Sequence, residues 1–302
     1  MAEIRYDGKV AIVTGAGGGL GRTYSLLLAS RGAKVVVNDL GGTFTGEGAS
    51  QTAAQKVVDE IKAAGGTAVP DYNSVTDGAK IVQTAIDSFG RLDIVINNAG
   101  ILRDVSFHKM TDDDWQKVLA VHLQGAYAVT KAAWPILRDQ QYGRIVMTTS
   151  AAGLYGNFGQ ANYAAAKMGI AGFGLALAWE GEKRNVKVNI IAPIAGSRMT
   201  ETVLPKEVCD NLKPEYVAPL VAYLCSEQCQ GNGGIYEVGA GVFSRVRWLR
   251  SAGATLPLTG AVTPEDVADN WAKINDMTGG MMCNSLQESS MITMKNFASL
   301  KK

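Results

Sequence analysis

The feature of this chain that most restricts its fold is a repeated alternation. Short, unbroken apolar runs are followed by longer stretches with helical spacing. The runs are Val10 to Thr14, Lys34 to Asn38, Ala68 to Pro70, Asp93 to Asn97, Arg144 to Thr149, Val186 to Ala192 and Gly234 to Val238. A strand with one face in water alternates apolar and polar residues. Continuous apolar runs are buried on both faces, as in a parallel sheet covered by helices. Leu20 to Arg31, Ser50 to Ala64, Asp77 to Phe89, Asp112 to Gln140, Asn162 to Arg184 and Pro214 to Cys225 supply the helical cover. The expectation is an α/β fold: a doubly wound, seven-stranded parallel sheet of Rossmann type with right-handed crossovers.

The alternation stops near residue 242, which sets the expected division. Residues 1–242 form the sheet domain. Residues 243–302 form a C-terminal helical extension packing on that domain or on a partner subunit. Within the extension, Thr263-Pro264-Glu265 is a helix start, with proline in the first turn and acids after it.

Composition excludes several function classes. Lys plus Arg number 29 and Asp plus Glu 28, so no basic surplus points to nucleic acid. No run of about 18 apolar residues exists to span a membrane. The start, Met1 to Tyr6, lacks the charged-then-apolar pattern of a secretion signal. The cysteines, Cys209, Cys225, Cys229 and Cys283, form no CxxC pair, so no metal site is expected and the thiols are read as free.

The first strand runs into Thr14-Gly15-Ala16-Gly17-Gly18-Gly19-Leu20-Gly21 and then a helix. A lone glycine motif is weak evidence; between a strand and a helix it reads as a phosphate cradle. Gly15 permits the sharp exit, Gly19 lets backbone approach a diphosphate, and Gly21 lets the helix sit against the sheet. Free N–H groups at the helix start then face the phosphates. Asp39, after the second strand, can accept hydrogen bonds from both hydroxyls of an adenosine ribose and would repel a 2′-phosphate. With no Arg or Lys at position 17, 18 or 40, NAD is expected rather than NADP.

Tyr163 and Lys167 stand one turn apart on a helix face. A phenol near pKa 10 is too weak an acid for neutral pH, and a neighbouring ammonium lowers that value. Ser150 ends the fifth strand, where carboxyl ends face the ligand crevice of a doubly wound sheet. Alone it reads equally well as a loop cap. No GxSxG elbow surrounds it, and His108 and His122 are the only histidines, which disfavours a Ser-His-Asp hydrolase.

Taken together, the glycine loop, Asn97-Asn98-Ala99-Gly100, Ser150 and the Tyr163/Lys167 pair resemble the short-chain dehydrogenase/reductase family. The resemblance implies catalysis by Ser150, Tyr163, Lys167 and His122. His122 stands where the family usually has an Asn holding a relay water. It implies cofactor contacts at Gly15, Gly19, Leu20, Gly21, Asp39, Ser74, Val75, Asn97, Ala99, Gly100, Tyr163, Lys167, Pro193, Ala195, Gly196, Ser197 and Arg198. At the adenine position Asn73 replaces the usual Asp.

Further segments narrow the likeness. They are Val35 to Gly42, Gly100 to Asp104, Tyr155 to Tyr163, Gly196 to Thr200, Leu212 to Pro219 and the Ser285 to Ser289 stretch. They resemble the (3R)-hydroxyacyl-CoA dehydrogenase units of peroxisomal multifunctional enzymes. That likeness implies oxidation of (3R)-3-hydroxyacyl-CoA to 3-ketoacyl-CoA in fatty-acid β-oxidation. It also implies a homodimer and a peroxisomal location, although Leu300-Lys301-Lys302 is not an SKL-type address; a stand-alone form would be cytoplasmic. Candidate cations for an acyl-CoA substrate are Arg103, Lys109, Arg245, Arg247 and Arg250. The alternatives are a dehydrogenase of another secondary alcohol, such as a steroid, and a non-catalytic NAD-binding scaffold, against which the intact Ser150, Tyr163 and Lys167 argue.

Overall fold

The computed structural model of the protein describes residues 3–195, 211–258 and 260–297. They fall into two compact units, one ending at Arg245 and one beginning at Val246. In the first unit the strands are β1 (Val10–Thr14), β2 (Lys34–Asn38), β3 (Thr67–Asp71), β4 (Ile94–Asn97), β5 (Gly143–Thr148), β6 (Val186–Pro193), β7 (Ile235–Gly239) and β8 (Val242–Val246). The sheet order is β3-β2-β1-β4-β5-β6-β7-β8. The pairings from β3 through β7 are parallel.

The order reverses between β1 and β4, and such a switch point opens a crevice at the carboxyl ends of the strands. Register brings those ends level: Thr14 pairs with Asn38, Asn38 with Asp71, and Asn97 with Met147. The strands stay in register because their middles are fully buried on both faces. Ile12, Ile94, Ile96, Ile145 and Met147 are among the largest wholly buried side chains. Burying each contributes about 1.5–3 kcal/mol, and a slip would misplace all of them.

Helices α1 (Gly19–Ser30), α2 (Thr52–Ala63), α3 (Gly78–Phe89), α4 (Asp112–Leu119), α5 (Gly125–Asp139), α6 (Ala151–Tyr155), α7 (Ala161–Gly181) and α8 (Ala218–Cys225) belong to this unit. The doubly wound Rossmann-like fold is as expected, with three differences. The sheet has eight strands rather than seven. Val242 to Val246 is exposed and carries no apolar run, so only the two-residue turn before it marks a strand. In that turn Ala240 and Gly241 have φ of +48° and +78°, the left-handed pair that reverses a hairpin, so β8 runs back along β7.

The expected single helix from Asp112 to Gln140 is interrupted by a π-helical turn at Ala120–Gln124. His122, within that turn, is buried. Finally, Ser150 leads into the short helix α6, which periodicity could not reveal in five residues.

The second unit contains α9 (Pro264–Asp269), α10 (Trp271–Asn275) and α11 (Leu286–Met294), with an antiparallel bridge between Arg250 and Met281. Thr263 caps α9 through a capping box with Asp266, as the sequence anticipates. Among the described residues no helix is long and apolar enough to cross a membrane.

Candidate active site

One crevice of about 770 Å³ lies at the carboxyl ends of the strands. Gly15, Gly19, Leu20, Asp39, Ser74, Val75, Ala99, Gly100, His122, Ser150, Tyr163, Lys167, Pro193 and Ala195 all line it. Gly196, Ser197 and Arg198 lie outside the described residues. Gly21 and Asn97 do not line it, and the reason is informative in each case.

Gly21 sits behind the loop. A Cβ there would lie 2.4 Å from the Gly15 carbonyl and 2.8 Å from Asn98 Nδ2, so only glycine lets α1 approach. Asn97 points into the core, where its Nδ2 donates to Thr130 Oγ1 at 2.9 Å. The neighbouring amide does the stitching: Asn98 Nδ2 donates to the Thr14 carbonyl at 3.0 Å, and Thr14 Oγ1 accepts from the N–H groups of Asn98 and Ala99. The loop after β4 is thereby clamped to the loop after β1. An Asn pair signalled this clamp; which of the two side chains makes it depends on strand facing.

The cofactor side is made mostly of backbone. Helix α1 begins at Gly18 with no side-chain cap, which leaves its first N–H groups to the crevice. Asp39 is anchored by its own loop: Oδ2 accepts from Gly17 N–H at 2.8 Å and Oδ1 from Gly41 N–H at 2.7 Å. A Cβ on Gly17 would lie 2.7 Å from Ala53 Cβ and 2.8 Å from Asp39 Oδ2. The glycine-lined end of the crevice fits a dinucleotide, since its backbone can be approached closely and its first helical N–H groups are uncapped, with the Asp39 carboxylate beside them. Asn73 is held rather than free, its Nδ2 donating to Asp71 Oδ2 at 2.9 Å.

The opposite side is made of buried side chains. Ser150 has extended backbone and caps α6, its Oγ accepting from Ala152 N–H at 3.2 Å. The plain cap and the crevice-lining reading therefore hold together, because a hydroxyl that accepts there can still donate elsewhere. Lys167 Nζ donates to the Thr148 carbonyl at 2.8 Å and lies 5.4 Å from the centroid of the Tyr163 ring. Burial pulls Lys167 down to about 7. Burial pushes the Tyr163 phenol up to about 12, opposed by its hydrogen bond with Ser150 and reinforced by the Asp104 charge. The expected acidification of the phenol by the lysine is therefore not produced by the protein's own groups. In a desolvated pocket the loss of water outweighs one amine that is itself half neutral at pH 7.

His122 meets the Tyr163 ring edge-on, with centroids 5.1 Å apart. Its Nε2 lies 2.8 Å from the Ile101 carbonyl and 3.0 Å from Ile101 N–H. Burial first, and Lys167 second, hold its pKa well below 6.5, so the ring is neutral. Among the described residues no group of three His, Cys, Asp or Glu could hold a metal.

Of the candidate CoA cations, Arg103 is already engaged. Its guanidinium donates to the Thr45 carbonyl at 3.0 Å and pairs with Glu47, Asp113 and Asp114. Sequence inspection missed Asp104 and Gln160, which also line the crevice and pair with each other, Gln160 Nε2 donating to Asp104 Oδ2 at 2.7 Å.

The family sequence pattern described as short chain dehydrogenase matches residues 9–208. The chain belongs to the short-chain dehydrogenase family. It is 57% identical over 290 residues to the peroxisomal multifunctional enzyme type 2 of Mus musculus, covering 96% of this chain and 40% of that protein. The structure of the full-length peroxisomal multifunctional enzyme type 2 from Drosophila melanogaster superimposes with a TM-score of 0.85 at 45% identity, covering 98% of this chain and 51% of that one. A 7α-hydroxysteroid dehydrogenase solved with NADH and 7-oxo glycochenodeoxycholic acid aligns with a TM-score of 0.70 at 28% identity, over 78% of this chain and 95% of that one. The chain thus spans between about a third and two thirds of the multifunctional relatives it matches.

Proposed function

We propose that this chain oxidises the hydroxyl of (3R)-3-hydroxyacyl-CoA thioesters to the 3-ketone with NAD, as a step of peroxisomal fatty-acid β-oxidation. The observation that carries the reading is the convergence of Ser150, Tyr163 and Lys167 on the same crevice as the glycine cradle and Asp39. Similarity over nearly the whole chain to peroxisomal multifunctional enzymes supports the substrate class.

In this reading the first turn of α1, with Gly15, Gly19 and Leu20, holds the diphosphate, and Asp39 accepts from the adenosine ribose hydroxyls. Ser74, Val75, Ala99 and Gly100 line the adenosine end, and Pro193 and Ala195 close the nicotinamide end. NAD, when bound, would supply the hydride acceptor and the positive charge of its oxidised ring. Ser150 donates to the substrate oxygen and stabilises the charge that develops on it. Tyr163 takes the hydroxyl proton. Lys167 favours the phenolate and binds the nicotinamide ribose hydroxyls. His122 keeps the Tyr163 ring in place as a neutral edge. Lys109 and Arg245 remain cations for CoA phosphates in the first unit, whereas Arg247 and Arg250 donate to Asn284 Oδ1 and the Ser289 carbonyl within the second. A homodimer through α5 and α7 is supported by the exposed Tyr127 and Trp179 on those helices.

The test is NADH formation with separate (3R)- and (3S)-3-hydroxyacyl-CoA isomers at several chain lengths, with NAD and NADP compared. Turnover of the R isomers with NAD is expected. Turnover confined to the S isomers, or to a hydroxysteroid, contradicts the proposal.

A further inference from the structure

Between β2 and α2 the chain forms a strap, residues 40–50, with no helix or strand of its own. Its base is clipped by Ser50 N–H donating to the Leu40 carbonyl at 2.9 Å. Its tip is folded on itself, Thr43 N–H donating to the Glu47 carbonyl at 2.8 Å. Gly42, Thr43, Phe44 and Gly46 line the crevice next to Asp39. The strap is fastened to the segment after β4: Leu102 N–H donates to the Phe44 carbonyl at 2.9 Å, Arg103 Nε donates to the Thr45 carbonyl, and Arg103 pairs with Glu47.

Arg103 also faces the other way. Its Nη1 lies 3.1 Å from carboxylates of both Asp113 and Asp114 at the start of α4. Its backbone carbonyl accepts from Asn162 Nδ2 at 3.2 Å, and Asn162 Oδ1 accepts from Tyr163 N–H at 2.8 Å. Asn162 is completely buried. The Arg103 side chain is only 15% exposed, while its partners Glu47 and Asp113 lie at the surface. An arginine suits this place because its planar fork can serve a carbonyl and three carboxylates at once; a lysine offers one point charge.

We propose that Arg103 is a positioning residue: a latch whose side chain holds the strap against the dinucleotide crevice and ties it to the start of α4, where the Asp114 carbonyl accepts from Asn162 Nδ2 at 3.1 Å, so that cofactor affinity and the setting of Tyr163 are coupled through it. This rests on the dehydrogenase reading for the identity of the dinucleotide and the role of Tyr163. It assigns Arg103 to neither substrate nor catalysis.

The experiment uses the full chain and two variants, Glu47→Gln and Arg103→Met. It measures NAD affinity directly by calorimetry, and kcat and KM with a (3R)-3-hydroxyacyl-CoA and with the matching N-acetylcysteamine thioester, which lacks the CoA phosphates. Glu47→Gln weakens the strap side of the latch, where Glu47 pairs with Arg103 and also with Lys117, and leaves Arg103 on Asp113 and Asp114. It is expected to weaken NAD binding roughly threefold with kcat within about twofold of the parent, in line with the loss of two exposed charge pairs. Arg103→Met is expected to weaken NAD binding about tenfold and to lower kcat, equally for both thioesters, as the loss of several charge-assisted contacts implies. Unchanged NAD affinity in both variants, with only thermal stability lowered, overturns the proposal. So does a defect of Arg103→Met confined to the CoA thioester, which would make Arg103 a phosphate ligand. If Arg103→Met does not fold, the NAD affinity of Glu47→Gln decides. If the parent makes no NADH from either thioester, the dehydrogenase reading fails, while the affinity comparison still tests the latch.

Discussion

The wall of the crevice built from residues 15–21 and 38–46 presents mainly backbone; the wall carrying Ser150, Tyr163 and Lys167 presents side chains taken out of water. The first is shaped by absence. Gly17 and Gly21 leave room that any Cβ would fill, and Asp39 is oriented by two backbone N–H groups. The second is tuned by burial, which moves Lys167 down to about 7 and Tyr163 up to about 12. The difference teaches that a change on the glycine wall should act on binding, whereas a change on the buried wall should act on rate and on stability.

Lys167→Met should break the buried wall most severely. Turnover is expected to fall about a thousandfold, within the range for a general acid–base group and its support. Thermal stability should rise at neutral pH, because a group that resists charging in its pocket is replaced by an apolar one of similar length. Steady-state kinetics and a melting curve on the same sample check both signs.

On the glycine wall, Gly17→Ala is expected to weaken NAD binding by about tenfold or more while leaving kcat nearly intact. The added carbon meets Ala53 and pushes Asp39 off its N–H anchors, an overpacking of about 1–3 kcal/mol. Asp39→Ala should weaken NAD about tenfold, the loss of hydrogen bonds to a charged acceptor, and narrow the preference over NADP. Calorimetric titration with both dinucleotides reads each effect. A fall in kcat without a fall in affinity would erase the distinction between the walls.

The smallest effect is on stability against pH. Buried His122 stays neutral in the folded chain, while the unfolded imidazole takes up a proton near its ordinary value of 6.5. The unfolded state then binds more protons, so this group contributes stability that is present above about 6.5 and lost as pH falls below it. Lys167 acts with the same sign between about 7 and its ordinary 10.5, where only the unfolded amine is protonated, so stability rises with pH across that window. Each slope is at most about 1.4 kcal/mol per pH unit. His122→Asn should flatten the lower window and Lys167→Met the upper one in denaturant unfolding at a series of pH values.

Much of the fold was legible because each inner strand is an unbroken apolar run with only one way to be buried. β8 escaped because it is exposed and carries no such run. The π turn at Ala120–Gln124 escaped because one extra residue per turn leaves helical spacing nearly unaltered. In the site, the glycine loop, Asp39, Ser150, Tyr163 and Lys167 stood out, since their chemistry is tied to local spacing. Arg103 did not stand out as a latch, because its partners at Thr45, Glu47, Asp113 and Asp114 lie far off in sequence or belong to a neighbouring helix. The raised phenol pKa was equally invisible, since it reports how deeply the ring is enclosed.

The most direct test of the account is Tyr163→Phe, measured for NAD affinity by calorimetry and for NADH formation from a (3R)-3-hydroxyacyl-CoA. Binding within about threefold of the parent is expected, together with turnover reduced about a thousandfold, since the ring remains and only the proton acceptor is gone. Turnover within tenfold of the parent would contradict the assignment of the phenol as the group that takes the substrate's proton.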